Sequence, residues 1–203
     1  TRTEIDADGR FGTSFLGGPR LEDQNGDGTW NTLDYVYQGS PEPDLFGGIR
    51  NVFSYKKWTL DTFAHFSIGN TMFNGSVAES YYARGAYLNL LPELKDRWTE
   101  ENYMSDIPRA GTAFGTYVTT NETSFQDGSF FRLKNVTLTY DLDNPPFVRD
   151  ASIYLSAQNL LLISDYKWGD PEVSQYGNQL NRGVSDSTYP YSTSVSLGLN
   201  IKF

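Results

Sequence analysis

The sequence predicts an all-β chain, made of five strands of a larger antiparallel transmembrane β-barrel. Three observations predict this class. The first is the stretch Ser192 to Phe203, where Thr193, Val195, Leu197, Leu199, Ile201 and Phe203 alternate with Ser192, Ser194, Ser196, Gly198, Asn200 and Lys202. Side chains alternate across a strand, so this stretch has one apolar and one polar face. A soluble sandwich strand shows the same alternation, but ending on an aromatic residue favours a membrane strand. The second is composition: hydrophobic residues are only 38%, yet aromatics reach 15%, with 14 Tyr and 13 Phe. That balance suits β structure and the aromatic girdles of a barrel better than helical bundles. The third is an alternation of connection lengths, which appears when the elements are taken in order.

Residues 1–44 read as loop. Gly9, Gly12, Gly17-Gly18-Pro19, the run Asp23 to Gly28, Pro41 and Pro43 place turn formers too densely for a long regular element. The first strand is expected over 45–56, with Ile49, Phe53 and Tyr55 on one face and Arg50, Ser54 and Lys56 on the other. The second, over 58–68, sets Trp58, Leu60, Thr62, Ala64, Phe66 and Ile68 against Thr59, Asp61, Phe63, His65 and Ser67. Lys56-Lys57 joins the two in a tight turn.

Residues 69–128 read as a long loop. A short helix is expected near Leu88 to Trp98, where Leu90, Leu91, Leu94 and Trp98 recur at helical spacing and Pro92 sits near the start. The third strand, 130–142, sets Val136, Leu138, Tyr140 and Leu142 against Thr137, Thr139 and Asp141. Its phase changes before Asn135, because Phe131 and Leu133 are apolar while Arg132 and Lys134 are charged. A bulge at Lys134 or Asn135, or emergence from a bilayer, explains the change equally well. A turn follows at Asp143 to Pro146. The fourth strand, 151–163, sets Ile153, Leu155 and Ala157 against Ser152, Tyr154, Ser156 and Gln158. A second long loop covers 164–191, and the final strand covers 192–203.

The connections therefore alternate short and long. Outer-membrane barrels have short periplasmic turns and long extracellular loops. With a periplasmic C-terminus, loops 1–44, 69–128 and 164–191 all fall outside the cell. The strands are long enough for the roughly 9–11 residues a tilted strand needs to cross. The longest aliphatic run, Leu160 to Ile163, is too short for a membrane helix of about 20 residues. Residues 1–10 carry two Arg, two Asp and a Glu, with no apolar core of a signal peptide, so an exported protein is expected to extend ahead of them. Five strands do not close a membrane barrel, so the rest of the barrel is expected elsewhere. A net charge of −9 argues against nucleic-acid binding, and the absence of cysteine excludes disulfides and thiolate metal sites.

Several blocks, in order, carry a family resemblance. They are Asp23 to Gly28, Gly39 to Asp44, Arg97 to Asn102, Ile107-Pro108-Arg109, Gln126 to Leu138, Ser156 to Leu160, Asp170-Pro171-Glu172, and the last strand with Gly198, Ile201 and Phe203. In these the chain resembles the C-terminal region of the SusC/RagA-type TonB-dependent outer-membrane transporters of Bacteroidetes. The resemblance implies the last five strands of a barrel of about 22. It implies a plug and a TonB-contacting segment outside this stretch, and a SusD-like surface lipoprotein acting as a lid. It also implies that the strand ending at Phe203 is read by the barrel-assembly machinery in a chain bathed by outer-membrane lipid.

Two constellations carry chemistry. Asp23 to Asp34 has the spacing of a calcium loop. Oxygen ligands would come from Asp23, Asn25, Asp27, the Thr29 backbone, Asn31 and Asp34, with Gly28 at the sharp turn. The last ligand is Asp where the pattern has Glu, and helical flanks are lacking, so an acidic turn without metal is the competing reading. His65 is the only histidine, which disfavours zinc. It is expected to face the lumen beside Asp61 and Ser67, and a barrel-wall enzyme would need a serine or acid within its reach. The loop aromatics, such as Tyr81, Tyr82, Trp98 and Tyr191, are expected in girdles and loop packing rather than as named ligand contacts.

The function expected is uptake of oligosaccharides or peptides, not catalysis. The alternative is a secreted or surface β-sandwich that binds glycan around a structural calcium. Solubility without detergent would favour that alternative.

Overall fold

The structure, a computed structural model, describes residue 17 and residues 22–29, 31–75, 92–109, 124–143, 147–167, 169–172, 182–185 and 188–203. Its main element is an antiparallel sheet of five strands in the order β1 (Leu45–Tyr55), β2 (Trp58–Ile68), β5 (Phe130–Asp141), β6 (Asp150–Ser164), β8 (Ser194–Lys202). These lie where the alternation places them, within one or two residues at each end. The hairpin between β1 and β2 closes through Lys56-Lys57, with Lys56 at φ 54. A positive φ at the first turn residue matches the twist of a two-residue hairpin. The Asp143 to Pro146 turn is described only at Asp143, and its other three residues lie outside the described ones.

The sheet separates its residues by chemistry. Phe53 pairs with Leu60, Leu60 with Leu138, Leu138 with Leu155, and Leu155 with Leu197. This row runs apolar across all five strands on one face, and Leu197 is 76% exposed. At the hairpin end the same face carries Tyr55, Trp58 and Tyr140, with the Trp58 and Tyr140 rings 4.6 Å apart. The opposite face is polar. Ser54 and Thr59 hydroxyls lie 3.1 Å apart, Arg50 forks onto Asp61 at 3.0 and 2.6 Å, and Thr137 meets Ser156 at 3.0 Å. There the Tyr154 ring lies over Gly198, in the space a Cβ would take, which accounts for a glycine inside an otherwise regular strand.

The phase change in β5 is a bulge. The register slips between Leu133 and Asn135 against both neighbours. On β6 the same step passes through Asn159 at φ 51. Asparagine tolerates this left-handed conformation better than most residues. Its side-chain amide donates to the Ser192 carbonyl at 3.1 Å, and the Thr193 hydroxyl donates to the Asn159 carbonyl at 2.8 Å. The bulge lets Arg132 and Lys134 share a face with Asn135 and Thr137 while Leu133 and Val136 stay on the apolar face.

Three departures correct the expectations. The loops at 69–128 and 164–191 are not wholly irregular. They contain the short strands β3 (Thr71–Asn74), β4 (Phe125–Asp127) and β7 (Val184–Ser185), in a sheet of order β4-β3-β7. Segments of two to four residues are too short to show periodicity in sequence. In place of a helix near Leu88 to Trp98 there is a 3-10 turn, Pro92–Asp96, with Leu94 buried. Residues 88–91 lie outside the described ones. Loop 1–44 contains another 3-10 turn, Thr32–Asp34. By compactness the chain forms two units, one of residues 1–39 and 73–125, the other of 40–72 and 126–203.

Candidate functional site

The polar face of the large sheet carries a charge cluster above the bulge. Arg132 comes from β5 and stands opposite His65 on β2. Its side chain is 3% exposed, and so is that of Asp170, its ion-pair partner. Asp170 also accepts the Glu172 amide at 3.0 Å and the Tyr191 amide at 3.1 Å. A buried charge survives only if it is paired and hydrogen-bonded, and both conditions hold here.

A second acid joins from the same short segment. Glu172 Oε1 lies 2.6 Å from Lys134 Nζ and 3.3 Å from His65 Nε2, and its Oε2 lies 2.8 Å from Arg132 Nε. This last contact is ionic but poorly aimed, since neither Arg132 Nε nor Glu172 Oε2 makes a hydrogen bond. The Tyr191 ring lies 4.4 Å from Lys134 Nζ and 5.5 Å from the Arg132 guanidinium carbon, so it adds π-face attraction to both cations. Further bonds seat the segment: Ser164 Oγ donates to the Ser129 carbonyl at 2.7 Å, and the Lys167 amide donates to Gln126 Oε1 at 2.9 Å.

Beside the cluster lies a cavity of about 840 Å³. Phe46, Phe63 and Phe130 give it apolar walls, while Lys134, Glu172 and Arg182 give it charge. Arg182 pairs with Glu42 at 3.1 Å. Gly183, at φ 73, lies against Pro41 where a side chain would not fit.

His65 stands on the polar face, as the alternation predicts. The acid within its reach is Glu172, which Lys134 and Arg132 also hold. That carboxylate is taken up by the two cations, and Ser67 on the same strand points its hydroxyl to Asn70 Oδ1 at 2.9 Å. This is an ion-pair network and not a catalytic constellation. Arg132 and Lys134 enter the sequence analysis only through the phase of their strand, and Asp170 and Glu172 only through the family resemblance; nothing there brings the four together as a site. The signal for them was two cations in polar-face register of a strand, which need acids from somewhere else in the chain.

The six residues of the acidic loop belong to the other unit. Asp23 accepts the Gly26 amide at 2.7 Å and the Gly28 amide at 2.8 Å, with both glycines at positive φ. Asn25 Oδ1 accepts the Asp27 amide at 2.9 Å, and Asp27 accepts the Thr29 amide at 2.7 Å. The Asn31 side-chain amide donates to the Thr29 carbonyl at 3.0 Å. Asp34 is buried and accepts the amides of Gln24 at 3.0 Å and Asn31 at 2.7 Å. The Thr29 amide, and then the Asn25 side chain, hold the Asp27 carboxyl below the ordinary carboxylate value. Among the described residues no three acidic or histidine side chains gather as metal ligands. The donors are all oxygens, which suits calcium, and each ionised carboxylate keeps lone pairs beyond the amides it accepts. Tyr81 and Tyr82 lie outside the described residues. Tyr191 packs in the charge cluster.

No family model matches the chain. It is 38% identical, over its whole length, to TonB-dependent receptor P26 of Formosa agariphila, of which it covers 21%. It is 27% identical over 89% of its length to TonB-dependent receptor SusC of Bacteroides thetaiotaomicron, of which it covers 17%. Among solved structures, the RagAB peptide transporter matches 81% of the chain with a TM-score of 0.66 and 29% identity, and the match covers 18% of that structure's chain. The chain thus spans about a fifth of the length of these relatives.

Proposed function

We propose, for a chain that belongs to the SusC/RagA-type TonB-dependent receptors as a segment of about a fifth of their length, that it forms part of the barrel wall of an outer-membrane nutrient importer. Receptors of this type are outer-membrane β-barrel proteins, and the relatives are receptors and transporters, not enzymes. The observation that carries the reading is the sheet's division into an exposed apolar face and a hydrogen-bonded polar one. In a bilayer wall the first meets lipid and the second the lumen. The edges of β1 and β8 in the five-stranded sheet would pair with further strands of the same barrel, of about 22. Short turns would lie in the periplasm and the long loops outside.

In this reading TonB supplies the work through parts of the protein beyond this segment, and a SusD-like lipoprotein covers the outer face. The cargo is an oligosaccharide or a peptide; one relative is named a peptide transporter. The test is uptake by cells carrying the full-length receptor, with and without TonB. Import of a labelled oligosaccharide or peptide that stops when TonB is deleted is the expected result. Binding with no TonB-dependent uptake of either class would sink the importer reading.

We also propose that the 23–34 loop takes up calcium through Asp23, Asn25, Asp27, the Thr29 carbonyl, Asn31 and Asp34. The support is the spacing and the all-oxygen donor set. Adding calcium to the chelator-treated full-length receptor is expected to slow amide exchange across 23–34, and the paired change Asp23→Ala, Asp27→Ala to remove the effect. Identical exchange with and without calcium would refute it. Acid is expected to loosen the loop even without metal. The Thr29 amide, and then the Asn25 side chain, hold the folded Asp27 carboxyl below its usual value, so the stabilisation is present above about pH 3.9 and is lost as pH falls through the lowered folded value.

A further inference from the structure

The charge cluster has a fixed pair and an exchangeable one. Arg132 and Asp170 are each 3% exposed and share a direct ion pair. Lys134 is 32% exposed and Glu172 is 21% exposed, and both line the cavity of about 840 Å³. Three basic side chains of the strands, Lys134, Arg132 and His65, converge on the one Glu172 carboxylate. The strands thus form a carboxylate-binding site, and the chain's own Glu172 fills it. Two details make that occupant replaceable. Its Oε2 faces Arg132 Nε without a hydrogen bond, and its partly open side chain can pass into water.

Charge decides what could replace it. With Glu172 in place the two acids Asp170 and Glu172 balance Arg132 and Lys134. Without it, Asp170 alone faces two cations. A neutral ligand would leave a half-buried lysine unpaired, which costs free energy, whereas another carboxylate would restore the balance. The cavity is within the roughly 300–1,000 Å³ range of small-ligand sites, and its phenylalanines offer apolar surface beside the charges.

We propose that this cavity binds a carboxylate-bearing solute, whose carboxylate displaces Glu172 and takes its place on Lys134 and His65. Arg132 stays with Asp170 throughout. The solute is an acidic sugar or the C-terminal end of a peptide. The inference rests on the lumen-facing assignment made above.

The experiment uses the full-length receptor in lipid nanodiscs and calorimetric titration with two matched pairs of probes: trigalacturonate against neutral galactotriose, and trialanine against trialanine amide. Binding of at least one acid member ten times tighter than its neutral partner is expected, equivalent to about 1.4 kcal/mol. Preference in the sugar pair alone, the peptide pair alone, or both, names the source of the carboxylate. Glu172→Gln removes the internal competitor and is expected to tighten the acid probe. Lys134→Gln is expected to abolish the preference, and Lys134→Arg, which retains the charge, to preserve it. Equal binding of acid and neutral probes in both wild type and Glu172→Gln overturns the proposal. So does a preference that survives Lys134→Gln. TonB-dependent uptake without a carboxylate preference would reject this site and leave the importer reading standing. A carboxylate preference without uptake would do the reverse.

Discussion

Replacing Arg132 with methionine is expected to release residues 165–167, 169–172 and 188–191 from the polar face of the sheet. Methionine fills similar space but leaves Asp170 buried with the Glu172 and Tyr191 amides and no cation. Breaking a buried pair from one side costs about 3–5 kcal/mol, because the remaining charge is uncompensated. The segment has a cheaper option than bearing that cost: it can lift away into water. That raises amide exchange in 165–167 and 169–172 relative to the strands, and that is the measurement. Removing both charges, Arg132→Met with Asp170→Leu, is expected to recover much of the loss, since a buried pair replaced by apolar groups is often neutral. Arg132→Lys should fall between, because lysine lacks the planar fork that reaches Asp170 and Glu172 together. Unchanged exchange in Arg132→Met would show that the segment is held by its backbone contacts alone.

That cluster also marks how far the sequence could be read. Alternation is local and has a period of two, so a stretch of nine to fifteen residues carries enough repeats to place each long strand. The phase break in β5 was legible for the same reason, though only the pairing shows that a bulge causes it. Arg132 and Lys134 fall out of phase with Val136 and Leu138, and a slip of one position restores agreement. The turns of the acidic loop were legible because most of their hydrogen bonds stay within five residues, as when Asp23 caps Gly26 and Gly28. The charge cluster was not. Arg132 and Asp170 stand 38 residues apart, and nothing local to either specifies the other. The short strands at Thr71–Asn74 and Phe125–Asp127 failed for a different reason. They rest on pairing with each other, and their length gives no pattern to detect.

A graded loss of stability along the last strand would separate a lipid-facing sheet from a protein core. Leu197 lies at the middle of β8, in the row that runs through Leu155, Leu138 and Leu60 to Phe53. Ile201 lies near the end of the same face, paired with Ala151 beside the short turn. Ser196 is on the polar face, opposite Ser156. In a bilayer, arginine costs about 2–4 kcal/mol at the midplane and about 0–1 near the interface, where its head can reach water. The expected order of destabilisation is therefore Leu197→Arg well above Ile201→Arg, with Ser196→Arg near zero. It is measured as unfolding midpoints of the full-length receptor in lipid vesicles. A β-sandwich would bury the apolar face against a second sheet, where a buried arginine is penalised by packing and lost solvation and not by depth in a membrane. Equal losses at Leu197 and Ile201 would point to such a core. A steep fall between two residues only four positions apart has a simple physical source in a solvent whose polarity changes over that distance, and a bilayer is such a solvent.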